Sequence, residues 1–234
     1  MDQPKVLVVD DEPKIRDLVR RYLEADGFAV TEQGDGPGAL HSAERDHPDL
    51  IILDVMLPGL DGVEVLRTLR QTSQVPVILL TARAEEVDKL IGLAVGADDY
   101  VTKPFSGREL AARARVILRR AGQSQVAPDS TEPVRHGSLV IDPARREVTT
   151  AGGPATLTAL DFDLLLALAR HPGQVLSRQQ LLHLVWGEDY FGDDRVVDVH
   201  IRTLRKALGD DAASPAYIAT VRSIGYRLIA PTPG

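Results

Sequence analysis

The 234-residue chain contains no cysteine, only four phenylalanines and one tryptophan, and no apolar run of the ~18 residues that a membrane-spanning helix needs. Without cysteine, a disulfide scaffold, a thiol nucleophile and cysteine-ligated zinc are excluded. With aromatic residues at 4%, aliphatic side chains must build most of the core. Positive charge is also in the minority: 27 Lys and Arg face 34 Asp and Glu, a formal net charge of −7, which on its own speaks against nucleic acid. The N-terminal MDQPKVLVVDDEP lacks the basic-then-apolar order of a secretory signal, so a cytoplasmic protein without membrane attachment is expected. What is present is an ordinary globular composition, and a length that suits two modest domains better than one.

Charge is not spread evenly. Residues 1–121 hold 21 acidic and 16 basic side chains, and residues 122–234 hold 13 and 11. Within the second half, Arg195, Arg202, Arg205, Lys206, Arg222 and Arg227 face only Asp198, Asp210 and Asp211 over 195–227. A local basic face matters more for phosphate contact than the charge of the whole chain. Between the halves, 121–135 (AGQSQVAPDSTEPVR) has no hydrophobic period and is rich in Gln, Ser, Pro and Ala. We therefore expect domains over 1–121 and 136–231, joined by a flexible linker over 122–135.

In the first half, short apolar runs alternate with helical patterns. Lys5–Val9, Phe28–Glu32, Leu50–Leu53, Pro76–Leu80 and Tyr100–Val101 read as strands. The first, third and fourth are continuously apolar, as strands covered on both faces of a parallel sheet must be. Ile15, Leu18, Val19, Tyr22 and Leu23 form one helical stripe, and helices also fit 37–46, 61–71, 85–95 and 106–120. Five βα units imply a doubly wound parallel α/β sheet, whose polar sites gather at the carboxyl ends of the strands.

Asp10 and Asp11 follow the first strand, Asp54 the third, Thr81 the fourth and Lys103 the fifth. Carboxylates brought together there repel unless a cation neutralises them. Hard oxygen ligands with no His or Cys nearby select Mg²⁺ or Mn²⁺. The chemistry that fits is phosphoryl transfer to a carboxylate, with Asp54 as nucleophile, Lys103 countering the phosphoryl charge and Thr81 donating a hydrogen bond to it. Singly, each residue also has an ordinary reading. Asp10-Asp11 is common turn chemistry, Thr81 a helix cap, Lys103-Pro104 a turn and Tyr100 core. Their joint placement is what favours a site.

VVDDE at 8–12, LDVMLPGLDG at 53–62, LLTA at 79–82 and ADDYVTKPF at 97–105 closely resemble the receiver domain of response regulators over 5–120. The resemblance implies the strand order 2-1-3-4-5. It further implies that Asp54 accepts a phosphoryl group from the phosphohistidine of a sensor histidine kinase. Asp11, Asp54 and the main-chain carbonyl of Met56 would ligate Mg²⁺, with Asp10 acting partly through water. Thr81, Tyr100 and Lys103 take switch roles, and Pro104 is a candidate cis-proline. Phosphorylation would favour a homodimer, with Lys89, Asp98, Asp99, Glu109, Arg113 and Arg120 matching charged positions of its interface.

The second half follows another order. Ser138–Ile141 and Glu147–Thr149 read as strands, Leu164–Leu168, Gln179–Trp186 and Val196–Leu208 as helices, and Ile218–Val221 with Tyr226–Ile229 as a hairpin. Three helices and a hairpin suggest an α+β winged helix-turn-helix. On the last helix, Val197, Ile201, Leu204 and Leu208 fall within about 40° of one another, while Arg195, Arg202 and Lys206 fall opposite. Such a helix suits a major groove.

TALDFDLLLAL at 158–168, VLSRQQLLHLVWG at 175–187, VVDVHIRTLRKALGD at 196–210 and TVRSIGYRL at 220–228 closely resemble the effector domain of the OmpR/PhoB subfamily. That resemblance implies a four-stranded sheet before the helices, 196–208 as recognition helix and Arg222 on a wing in the minor groove. Arg195, His200, Arg202 and Arg205 match positions that contact phosphates or bases, and Lys206 lies on the same basic face. Trp186 is read as a core anchor and His200 as a phosphate donor, with a flanking role as the alternative. Thr203 and Val196 depart from commoner arginine and hydroxyl residues, which should change the bases read. The partners implied are promoter DNA with direct repeats, and RNA polymerase.

The expected function is thus a phosphorylation-controlled transcription factor that catalyses only its own phosphoryl transfer and dephosphorylation. Two alternatives stand beside it. A Mg²⁺-dependent phosphatase would want its nucleophile on the first strand in an Asp-x-Asp arrangement, whereas Asp10 and Asp11 are adjacent. A DNA-binding protein whose first domain serves only for docking would bind DNA alike with and without a phosphoryl mimic.

Overall fold

The computed structural model describes residues 3–82, 96–123, 132–188, 190 and 192–229, without side chains for 120–123. The expected helix over 85–95, Lys89, the Arg120 side chain and most of the expected linker lie outside the described residues. The chain divides into two compact units, Met1–Ala121 and Gly122–Gly234. Among the described residues, no helix is long and apolar enough to cross a membrane.

In the first unit, β1 (Lys5–Val9), β2 (Ala29–Gln33), β3 (Leu50–Asp54), β4 (Val77–Thr81) and β5 (Asp99–Thr102) form one sheet in the order β2-β1-β3-β4-β5. Every adjacent pair is parallel. The aliphatic runs explain this: β1, β3 and β4 are buried along almost their whole length because helices cover both faces. Val6, Val8, Leu50, Ile52, Ile78 and Leu80 face one way, onto Val19 and Leu23 of α1 (Pro13–Ala25) and Leu110, Ala114 and Ile117 of α4 (Gly107–Gln123). The alternate residues point to the other face, where α2 (Gly36–Asp46) and α3 (Gly62–Leu69) bury Ala39, Val65 and Leu66. Local chemistry starts the helices. Pro13 opens α1, the Asp35 carboxylate accepts from the Gly38 N–H, and that of Asp61 from the Glu64 N–H.

The second unit begins with an antiparallel meander of β6 (Val134–His136), β7 (Leu139–Asp142), β8 (Glu147–Thr150) and β9 (Gly153–Ala155). Helices α5 (Ala159–Ala169), α6 (Arg178–Trp186) and α7 (Arg195–Leu208) follow. Thr158 caps α5, and Ser177 with Gln180 forms a reciprocal capping box on α6. The hairpin of β11 (Ile218–Val221) and β12 (Gly225–Leu228) closes the fold, with two-residue β10 (Leu176–Ser177) against β12. Val197, Ile201, Leu204 and Leu208 of α7 are buried, as their spacing predicts, and Trp186 is fully buried as a core anchor.

Candidate functional site: an acidic pocket and a basic helix

The parallel sheet carries its polar residues to one edge. Asp54 ends β3, Thr81 ends β4, Asp10 follows β1, and Lys103 follows β5. Asp10, Asp54 and Thr81 are buried, and Asp11 is exposed. Oxygens of Asp10, Asp11 and Asp54 all lie within 4.8 Å of one another. Between two of them sits the Lys103 ammonium, 2.7 Å from Asp10 Oδ2 and 2.9 Å from Asp54 Oδ2. The Lys103–Pro104 peptide bond is cis.

The two Asp10 oxygens have different tasks. Oδ1 accepts from the Glu12 N–H at 2.9 Å, while Oδ2 takes Lys103. The loop is also held from behind, where Arg16 Nη1 donates to the Asp10 carbonyl at 2.6 Å. Burial pushes Asp54 above the usual carboxylate range, and Asp10 pushes it further; Lys103 and the Met56 main-chain N–H oppose the shift. Burial alone would lower Lys103, but its contacts with Asp10 and Asp54 outweigh that and raise it. Three hard oxygen ligands around a position already served by one cation fit the donor set of a divalent ion such as Mg²⁺. Tyr100, on β5, is buried at 9% exposure.

Of the residues expected at a dimer interface, Asp98, Asp99, Glu109 and Arg113 have partners within the unit. Asp98 is not a free surface charge: it is 5% exposed, 3.2 Å from Arg70 Nη2, and accepts from the Val77 N–H. Arg113 and Asp99 are buried and paired with each other at 3.0 Å, and Arg113 also holds Glu109 at 2.7 Å. The reason is physical: charged residues beginning a buried edge strand need partners, and Arg70 and Arg113 reach them within the same unit.

In the second unit, Arg195, Arg202 and Lys206 of α7 are exposed on one side, and Arg222 is exposed in the turn between β11 and β12. Thr203 is half-buried. Two residues expected at the DNA interface are tied to neighbours within the unit. His200 is 1% exposed; its Nδ1 lies 2.8 Å from Asp161 Oδ1, and its ring is 5.2 Å from that of Trp186. It joins α7 to α5 and does not face outward. Arg205 is half-buried and its Nη2 donates to the Ile218 carbonyl at 2.7 Å and to Thr220 Oγ1 at 2.8 Å. Val196 is also buried, its apolar side chain packed into the core.

Sequence reasoning missed a polar hub between helices and hairpin. Asp198 Oδ1 accepts from Arg178 Nε at 2.7 Å and from the Tyr226 hydroxyl at 2.6 Å. Burial first, and then Asp198, pushes the Tyr226 hydroxyl up to about 12. The only sequence signal was a carboxylate on the flank of an otherwise basic helix face.

Residues 6–115 match the response regulator receiver domain, and residues 152–228 match the C-terminal domain of transcriptional regulatory proteins. The sensory transduction protein RegX3 of Mycolicibacterium smegmatis is 46% identical over 95% of this chain and 98% of its own length. The alkaline phosphatase synthesis transcriptional regulatory protein PhoP of Bacillus subtilis is 48% identical over 97% of both chains. Among solved structures, the OmpR/PhoB homologue DrrB of Thermotoga maritima is 35% identical over 98% of this chain and all of its own, with a TM-score of 0.50. With both families matched in order along one polypeptide and relatives aligned over nearly its whole length, the chain belongs to the response regulators of the OmpR/PhoB type, phosphorylated proteins that act as transcription factors.

Proposed function

We propose that Asp54 is the phosphoacceptor, that the sheet-edge site performs the transfer, and that α7 with the wing delivers the result to promoter DNA. The observation that supports this best is the Lys103 ammonium seated between the buried carboxylates of Asp10 and Asp54. An acid cluster in which two buried carboxylates share one cation is poised to accept further positive charge and a phosphoryl group.

Asp11, Asp54 and the Met56 carbonyl would hold Mg²⁺, or Mn²⁺, with Asp10 reaching it through water because both its oxygens already have partners. When bound, the ion neutralises the carboxylates and the phosphoryl oxygens. An Asp54 oxygen forms the new P–O bond as the P–N bond of the kinase phosphohistidine breaks, and the histidine keeps the electron pair and takes up a proton. Lys103 then leaves the Asp54 carboxylate for the phosphoryl oxygens, and the Thr81 hydroxyl donates to them. Movement of Thr81 toward the phosphoryl group frees space behind it that Tyr100 then fills, which shifts an existing equilibrium and does not create a new fold. Water reverses the modification by autodephosphorylation.

The active state in this reading is a homodimer through the receiver, whose face includes Lys89, Glu109 and Arg120 with the Asp99–Arg113 pair as an internal brace. Arg195, Arg202, Thr203 and Lys206 face the major groove, Arg222 the minor groove. Direct repeats suit two DNA-binding units, and RNA polymerase is the downstream partner. The test is phosphorylation with acetyl phosphate and magnesium, followed by mass spectrometry. One phosphoryl adduct on Asp54 is expected, absent in Asp54→Ala; an adduct elsewhere, or none, overturns the assignment.

A further inference from the structure

Helix α7 ends where the chain passes Leu208 and turns through Gly209 at φ +66°. The next residue, Asp210, donates its own N–H back to the Arg205 carbonyl at 2.8 Å. Its carboxylate then gathers three successive backbone donors: Oδ1 accepts from Ala216 at 2.6 Å and Tyr217 at 3.2 Å, and Oδ2 from Ile218 at 2.9 Å. One turn earlier on the helix, Arg205 takes the opposite pole of the same residue, donating to the Ile218 carbonyl and to Thr220 Oγ1. Ile218 is thus held by its N–H from Asp210 and by its C=O from Arg205, with its side chain fully buried.

No regular secondary structure requires this. Strand β11 is the outer strand of the three-stranded sheet β10-β12-β11, so its outward edge needs partners for its backbone groups. Here the end of the recognition helix supplies them. Hydrogen bonds from or to charged side chains are stronger than neutral pairs; Arg205 lies on the helix that carries Arg195, Arg202 and Lys206, and Asp210 directly follows its C-cap Gly209. From that edge the chain runs four residues to Arg222, which is exposed in the turn.

We propose that Asp210 and Arg205 are positioning residues that clasp the wing to the recognition helix and so set where Arg222 meets DNA. This rests on the reading of Arg222 as a DNA contact. Two observations separate it from simple stabilisation: the clasp grips the strand that leads directly into Arg222, and Arg205 Nη2 donates to backbone and to Thr220.

The experiment is a double-mutant cycle on the full-length chain activated with beryllofluoride, binding a duplex selected from a random library by that same protein. Arg222→Ala should weaken binding about fivefold or more and lower the salt slope by ~0.9. Asp210→Ala should cost a similar factor alone, but less than about twofold in the Arg222→Ala background. In that background Arg205→Ala should leave the salt slope unchanged, whereas a phosphate contact would lower it by a further ~0.9. Equal losses from Asp210→Ala in both backgrounds, or a further fall in slope from Arg205→Ala, overturn the clasp while leaving the Arg222 contact standing. No effect of Arg222→Ala overturns the wing contact itself and the clasp with it. If Asp210→Ala does not fold, Asp210→Asn keeps one accepting oxygen, and hydrogen exchange at the Ala216, Tyr217 and Ile218 amides reads the clasp directly. Unchanged protection there also sinks it.

Discussion

At the scale of single residues, the acidic site works against the fold that holds it. Asp54 has its pKa raised, first by burial and then by Asp10. The folded state therefore holds that proton more tightly than the unfolded chain, and stability falls as pH rises from the usual carboxylate range through the raised value. Asp54→Asn removes this penalty. In magnesium-free buffer the melting temperature of wild type should drop below that of Asp54→Asn as pH climbs through that window, with the difference vanishing on the acid side. A difference independent of pH would contradict the burial argument. His200 is a second residue-scale case. The resemblance that suggested a phosphate donor places His200 on the helix, where its ring turns toward Asp161 and serves the core. Removing it leaves a buried carboxylate without that partner, so His200→Ala should lose about 3 kcal/mol in urea denaturation. The salt slope of DNA binding should stay as it was, since no phosphate contact is lost. The acid cluster was legible because strand ends can be read from aliphatic runs. The inward turn of His200 was not, because helical spacing places residues on a face but does not say which neighbour lies there.

At the scale of elements, legibility followed length and apolar content. The five receiver strands and the α7 stripe announce themselves through runs of Val, Ile and Leu, and the hairpin through Ser223-Ile224-Gly225 between two short β-rich runs. Strands β6, β9 and β10 have two or three residues each, too few for any period to show. Their pairing depends on backbone approach, and Gly225 marks one such place. It pairs with Ser177 across β10 and β12, and a β-carbon there would run into the Leu176 carbonyl. Backbone cannot yield as a flexible side chain does, so Gly225→Ala should destabilise the second unit by about 1–3 kcal/mol. Differential scanning calorimetry on the full chain is the measurement: the transition of residues 122–234 should move down while that of the receiver stays in place. A shift in both, or in neither, would mean that the wing strand is not held as described. Asp98, Asp99 and Arg113 belong to this scale too. The family resemblance suggested a surface between copies for them, and within the unit the start of the edge strand has Arg70 and Arg113 as its partners.

At the scale of the whole molecule, net charge and function pull in opposite directions. The chain carries −7 overall, so the summed field repels DNA, and only a local face can overcome it. The face proposed for it is small: the exposed Arg195, Arg202 and Lys206 on α7, with Arg222 in the hairpin turn. Four phosphate contacts give a salt slope near −4 for one unit, and two units engaged together give about −7. A single unit with so few contacts on an acidic protein binds weakly at physiological salt, and joining two raises the effective concentration of the second without any new contact. Phosphorylation needs only to bring two receivers together to act as a switch. Beryllofluoride should therefore roughly double the salt slope of wild type on a duplex with two half-sites, and leave Asp54→Ala on the shallow line. Fluorescence anisotropy between low and moderate salt, with sedimentation velocity on the same samples, checks both halves of the prediction. A steeper slope without a dimer would place the switch inside one chain, and a dimer with an unchanged slope would mean that the paired units do not reach DNA together.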